Sequence, residues 1–139
     1  MVVTEVNKAY YDNALAMLDK KFRPFIDKDV KAEHYFVAHD NGELAGGFGL
    51  NSFGHITGLF ALKAGAGKDI LDNALTIQKD ELEMVASVVE CIGEALEAFY
   101  DMHGFRTVNT EPFDDAIAHP DWDYDAFGRP NVYIMEKKL

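Results

Sequence analysis

The sequence predicts a mixed α/β fold built on a mostly antiparallel central sheet, and three observations carry that expectation. Two apolar runs, residues 35–38 and 44–50, flank Asp40-Asn41-Gly42, a hairpin signal because Asn and Gly both accept positive φ. A second turn, Asn51-Ser52-Phe53-Gly54, leads into a third strand over 55–62, so three consecutive strands form an antiparallel meander. Beyond residue 62 helical and extended periodicities alternate, which adds helices to the faces of the sheet.

Each element has its own signal. Tyr10, Ala14, Met17 and Leu18 recur at helical spacing within 7–20, with polar residues between them. Pro24 makes 22–30 a loop with at most a helical turn. Ile70, Leu71, Ala74, Leu75 and Gln78 mark one helix face, and the β-branched run 82–89 reads as a central strand. Ile92, Leu96, Phe99 and Tyr100 mark another helix, with Gly104 placed to end it in the αL conformation. Residues 105–110 and 131–135 read as closing strands. The acidic, aromatic stretch 111–130 between them is long enough to carry function.

With 139 residues and no Ser/Gly linker or repeat, the chain reads as one domain over 1–139 with a self-sufficient core. Twenty-four Asp and Glu against 13 Lys and Arg give a net charge of −11, which argues against nucleic acid and anionic membranes as partners. The single cysteine, Cys91, excludes an internal disulfide and reads as a buried thiol. The first residues lack an apolar signal core, and no apolar run is long enough to cross a bilayer, so the expected location is the cytoplasm.

The most informative segment is Lys63-Ala64-Gly65-Ala66-Gly67-Lys68-Asp69, which passes from a strand directly into a helix. Small residues there leave backbone N–H groups free at a helix N-terminus, where an anion is favoured; the plainer reading is a glycine turn with no ligand. Two nucleotide motifs fail. A P-loop requires Gly at Leu62 and Ser or Thr at Asp69, and a dinucleotide fingerprint starting at Gly65 requires a small residue at Ile70.

Strand, glycine loop and helix, preceded by a meander and followed by strand, helix, strand and strand, resemble the GNAT superfamily of acyl-CoA N-acyltransferases. Residues 59–71, Leu-Phe-Ala-Leu-Lys-Ala-Gly-Ala-Gly-Lys-Asp-Ile-Leu, look like its acyl-CoA loop, and Tyr100-Asp101-Met102-His103-Gly104-Phe105 looks like its second signature, Tyr-x-x-x-Gly-Phe. The order of elements agrees over about 35–135. Two positions depart from the family: Leu62 replaces a usual Gln or Arg, and Gly93 replaces a frequent Asn. The loop also looks shortened.

The resemblance implies a GNAT-like sheet whose central strands splay, and acetyl-CoA as cosubstrate, with pantetheine along Phe60, Ala61 and Leu62 and pyrophosphate on Lys63, Gly65, Ala66, Gly67, Lys68 and Asp69. It implies direct transfer of acetyl to an amine, with Tyr100 as general acid toward the departing thiolate; a thiol pKa of ~8.5 and a phenol pKa of ~10 are close enough for that exchange. A core aromatic is the alternative for Tyr100. For the base, His55 opens the strand facing the cleft, and histidine changes charge near neutral pH; Glu83 and Glu90 are the alternatives, acting through water.

The scattered histidines show no ligand spacing, so no metal is expected. Asp121 to Asp125 imitate a calcium loop, but Ala126 and Val132 stand where Gly and Glu are required. Asp121, Trp122 and Asp123 are candidate substrate-binding residues in a wall where carboxylates attract a cationic amine and aromatic rings hold its stem; the same loop could be a solvated segment or a homodimer surface. The rival function is a non-catalytic, acidic GNAT-like binding protein that docks to a basic partner or mimics nucleic acid.

Overall fold

The computed structural model describes residues 1–139. β1 (Val2–Val6) pairs antiparallel with β2 (His34–Asp40), adding an edge strand that the expected meander lacked. Only five residues long and largely exposed, it carries too little apolar pattern to announce itself. Between them α1 (Lys8–Leu15) is capped by the Asn7 side chain, which accepts from the Tyr10 N–H at 2.9 Å. The expected helix over 7–20 stops at Leu15. Tyr11, Ala14 and Leu15 are buried, whereas Met17 points to solvent, so packing supports only the first turns. A 3-10 turn, Arg23–Phe25, follows with Pro24 inside it.

β2 and β3 (Glu43–Leu50) form the predicted hairpin, with Asn41 at φ 51° and Gly42 at φ 80°. β4 (Ile56–Ala61) continues the sheet, giving the order β1-β2-β3-β4. Its register slips opposite Gly47 to Gly49, and Gly58, at φ 58°, lies in the slipped segment. A Cβ at Gly58 would overlap the Tyr11 hydroxyl, which donates to the Gly58 carbonyl.

α2 (Ala66–Thr76) runs into a π-helical turn, Ile77–Glu81, before β5 (Ala86–Ile92). The strand expected over 82–89 therefore starts later. The Leu82 N–H closes the π turn on Ile77 at 3.0 Å and Glu83 takes φ 53°, so 82–83 cannot be extended. α3 (Glu94–Met102) ends at Gly104, φ 89°, as its sequence predicts. β6 (Arg106–Glu111), a short α4 (Tyr124–Phe127) and β7 (Val132–Lys138) complete the chain, and β7 inserts between its partners in a second sheet of order β5-β7-β6.

The larger core cluster joins Phe36, Phe48, Leu50 and Ile56 of the first sheet to Ile70, Leu71 and Ala74 of α2 and to Val89, Tyr100, Phe105 and Met135. A smaller one packs Tyr11, Ala14 and Leu15 of α1 on Tyr35, Val37 and Phe60. Helices thus cover both faces of the first sheet. No helix is long and apolar enough to cross a membrane.

Candidate acyl-transfer cleft

β4 and β5 are parallel neighbours that touch through one isolated bridge, His55 with Val88, where the Val88 N–H donates to the Gly54 carbonyl at 2.9 Å. β4 is otherwise the edge of its sheet and β5 the edge of the other, so the strands diverge beyond the bridge. The unpaired edge of β4 offers alternate backbone donors and acceptors to whatever enters the opening.

At the end of β4 the Leu62 N–H is tied to Ala45 at 2.7 Å, and the turn closes with the Ala66 N–H on Lys63 at 3.2 Å. Gly65 adopts φ 80°, with open space where a Cβ would stand. The N–H groups of Gly65, Gly67 and Lys68 have no backbone or side-chain acceptor; the last two belong to the first turn of α2, which has no intrahelical acceptor to give them. A Cβ on Gly67 would meet the Phe99 ring at 3.4 Å, which brings α3 close to this loop. The two loop lysines are paired: Lys63 with Glu43 at 2.7 Å and Lys68 with Asp72 at 2.8 Å, and each pair raises the lysine's proton affinity.

By sequence the chain matches no family model and no curated protein. Its fold is similar to several solved structures. An IAA acetyltransferase from Bacillus cereus superposes with a TM-score of 0.69 at 16% identity, covering 99% of each chain. A spermidine N-acetyltransferase mutant from Vibrio cholerae gives 0.68 at 12%, over 99% of this chain and 95% of that one. A GNAT family acetyltransferase from Elizabethkingia anophelis, solved with acetyl-CoA bound, gives 0.64 at 12%, over 99% and 97%.

The fold is that of the GNAT acetyltransferases.

Within this GNAT fold the candidate residues fall in three places. Phe60 turns its ring into the α1-side cluster, 5.7 Å from Tyr11, so Phe60 and Ala61 can offer the cleft their backbone. Tyr100 is 7% exposed on α3, its ring edge-on to Phe99 and Phe105, and no hydrogen bond reaches its hydroxyl. Burial, with a smaller contribution from Cys91, raises the phenol's proton affinity well above the usual range. The Cys91 thiol is itself pushed up to about 12 by burial.

His55 is exposed, and its N–H is held by the Asn51 side chain at 3.1 Å. Because paired residues in a bridge share a face and strands alternate, His55, Val88 and Glu90 lie on one side, and Ser87, Val89 and Cys91 on the other. The Glu90 carboxyl is held above the ordinary range by partial desolvation, then by Asp27 and Glu111, with His55 opposing. Glu83 stands outside β5, in the turn before it.

The segment 112–131 is held by contacts within itself and by Phe25 of the 3-10 turn. Trp122 is buried; it donates its Nε1–H to Gly128 at 2.9 Å and packs on Phe25, Phe113 and Phe127. Asp123 caps α4 through the Ala126 N–H, Arg129 pairs with Asp115 at 3.0 Å, and Asp121 remains exposed. Sequence reasoning missed Tyr11, Phe25 and Asp27, whose neighbours in space come from distant segments. Gly58, required where Tyr11 crowds the strand, is the one local trace of them.

Proposed function

We propose that the chain is an N-acetyltransferase that moves an acetyl group from acetyl-CoA to a cationic amine by direct transfer in a ternary complex. The observation that carries this reading is the free edge of β4 ending in three unpartnered N–H groups at Gly65, Gly67 and Lys68. An edge of alternating amides suits pantetheine, and unpartnered N–H groups at a helix N-terminus suit a diphosphate. Leu62 and Lys63 to Asp69 would line that cradle. Acetyl-CoA supplies the acyl group already activated as a thioester.

The residues of this chain divide the remaining work. His55, with Glu90 on the same face, accepts a proton from the incoming ammonium and leaves a nucleophilic amine. Tyr100 keeps its proton through the neutral range and gives it to the departing sulfur, and the second proton that the nitrogen sheds as the amide forms returns through solvent to the phenolate. A desolvated thiolate also binds a proton more tightly, so burial of both groups preserves the match between them. Asp121 and Asp123, beside the Trp122 anchor, supply negative potential toward a cationic acceptor.

Titration with coenzyme A tests the cradle. Binding should raise Tm in proportion to the logarithm of ligand concentration, and no rise at millimolar coenzyme A would reject the reading. A screen of polyamine, amino-acid and basic-peptide acceptors by thiol release then identifies the amine. Asp121→Asn with Asp123→Asn should raise KM for that acceptor while Tm holds, since Asn retains the α4 cap.

A further inference from the structure

Gln78 is fully buried inside the π-helical turn, an unusual place for an amide side chain. Three of its surroundings explain it. Its Nε2 donates to the Gly54 carbonyl at 2.9 Å, the same oxygen that accepts the Val88 N–H at 2.9 Å. Its own carbonyl accepts from the Met84 N–H at 2.8 Å, in the segment entering β5. At Gly54, φ 84°, a Cβ would lie 2.8 Å from the Ala86 carbonyl, so the two backbones meet as closely as glycine allows.

One residue therefore grips the entry to β4 and the entry to β5 at the only bridge between the sheets. The carbonyl of Gly54 uses both lone pairs there. The amide orientation follows from that acceptor, because the reverse assignment would set oxygen against oxygen. Two buried side-chain atoms lack a protein partner, Gln78 Oε1 and Ser87 Oγ, and Ser87 immediately precedes Val88. Single π turns of this kind recur at functional positions, because the extra residue redirects a side chain that a regular helix would aim elsewhere.

We propose that Gln78 is a positioning residue which, through the Gly54 carbonyl, fixes the angle at which β4 and β5 diverge and hence the width of the cleft. The effect on coenzyme A rests on the transferase reading; the clamp does not.

Gln78→Met keeps the side-chain length and removes both polar ends. Amide exchange followed by NMR should accelerate at Val88 about tenfold more than at the β7 amides, because a local opening has been made easier, and the coenzyme A thermal shift should shrink. Equal acceleration at Val88 and throughout β7, or none at Val88, would overturn the proposal. The wild-type protein gives a second readout that needs no variant to fold. The Gln78 side-chain amide protons should be protected and show nuclear Overhauser contacts to the Val88 amide proton; exchange as fast as that of exposed Gln side chains refutes the clamp. If the wild type gives no shift with coenzyme A, the transferase reading fails while the Val88 comparison still decides this one.

Discussion

The rings of Phe25 and Trp122 meet edge to face with centroids 4.8 Å apart, joining the 3-10 turn before β2 to the long segment before β7. Phe127 completes the contact, 4.9 Å from Phe25. Both segments lie near the Glu90 face of the cleft: Asp27, two residues beyond Phe25, and Glu111, the last residue of β6 immediately before the long segment, oppose ionisation of Glu90. An acceptor entering there would pass between two walls that share one aromatic anchor.

Trp122→Ala should therefore loosen the wall more than the fold. Deleting a buried Trp costs about 3–5 kcal/mol where the surroundings are rigid, but here the lost packing is confined to the 112–131 segment and its contact with Phe25, outside the two main core clusters. We expect rapid proteolytic cleavage within 112–131, a raised KM for the acceptor and an unchanged coenzyme A titration. Loss of coenzyme A binding would show that the segment supports the whole cleft.

Much of this arrangement is legible in local sequence, and what is not has a common cause. Asn41-Gly42, the Gly65–Gly67 loop and Gly104 announce themselves because positive φ or a helix end restricts the residue on the spot. β1 and the end of α1 depend on whether a weak pattern meets a packing surface, which is a tertiary fact. The π turn at Ile77–Glu81 is invisible because Gln78 continues the apolar face of α2 in helical register, and its reason for being buried lies at Gly54. Trp122 likewise reads as an exposed wall residue until Phe25 is placed against it. The loop glycines could be found from sequence; the pairing of Lys63 with Glu43 and Lys68 with Asp72 could not be foreseen for the first pair and was visible as i, i+4 spacing for the second.

Those pairs set the response of the cradle to charge. Exposed ion pairs are weak because water screens them, so a diphosphate can share Lys63 with Glu43, although it adds negative charge beside a carboxylate. Glu43→Gln removes that repulsion and leaves the ammonium free. Affinity for coenzyme A should rise roughly two- to fivefold at low salt and the gain should fade as salt is added. Unchanged affinity would place the diphosphate away from Lys63.

Glu90 gives a pH signature whose sign is determined by the direction of its shift. Its proton affinity is higher in the folded chain, so its contribution to stability is full below the ordinary carboxylate range and is lost as pH rises through the folded value. Glu90→Gln removes that loss. Urea titrations should then show the variant slightly more stable than the wild type at pH 7 and indistinguishable from it at pH 4. If Glu90 helps take the amine's proton, kcat/KM should fall in the same variant at neutral pH, so that stability and activity move in opposite directions; a parallel fall in both would mean that the carboxylate is an ordinary structural contact.

Tyr100→Phe separates catalysis from packing at the position where the two are most easily confused. The ring contributes to the larger core through Phe99 and Phe105, and phenylalanine preserves those contacts. The hydroxyl makes no hydrogen bond within the protein, so its removal leaves no buried partner unsatisfied and Tm should hold or rise slightly. A general acid contributes typically about 10²–10⁴-fold to the step it serves. The expected result is a fall in kcat within that range, with KM for acetyl-CoA little changed and with the alkaline limb of the rate profile altered. The loss should also shrink when the leaving thiol is made more acidic, because a better leaving group needs less protonation. Normal kcat in a stable Tyr100→Phe enzyme would return Tyr100 to the core and leave protonation of the sulfur to solvent.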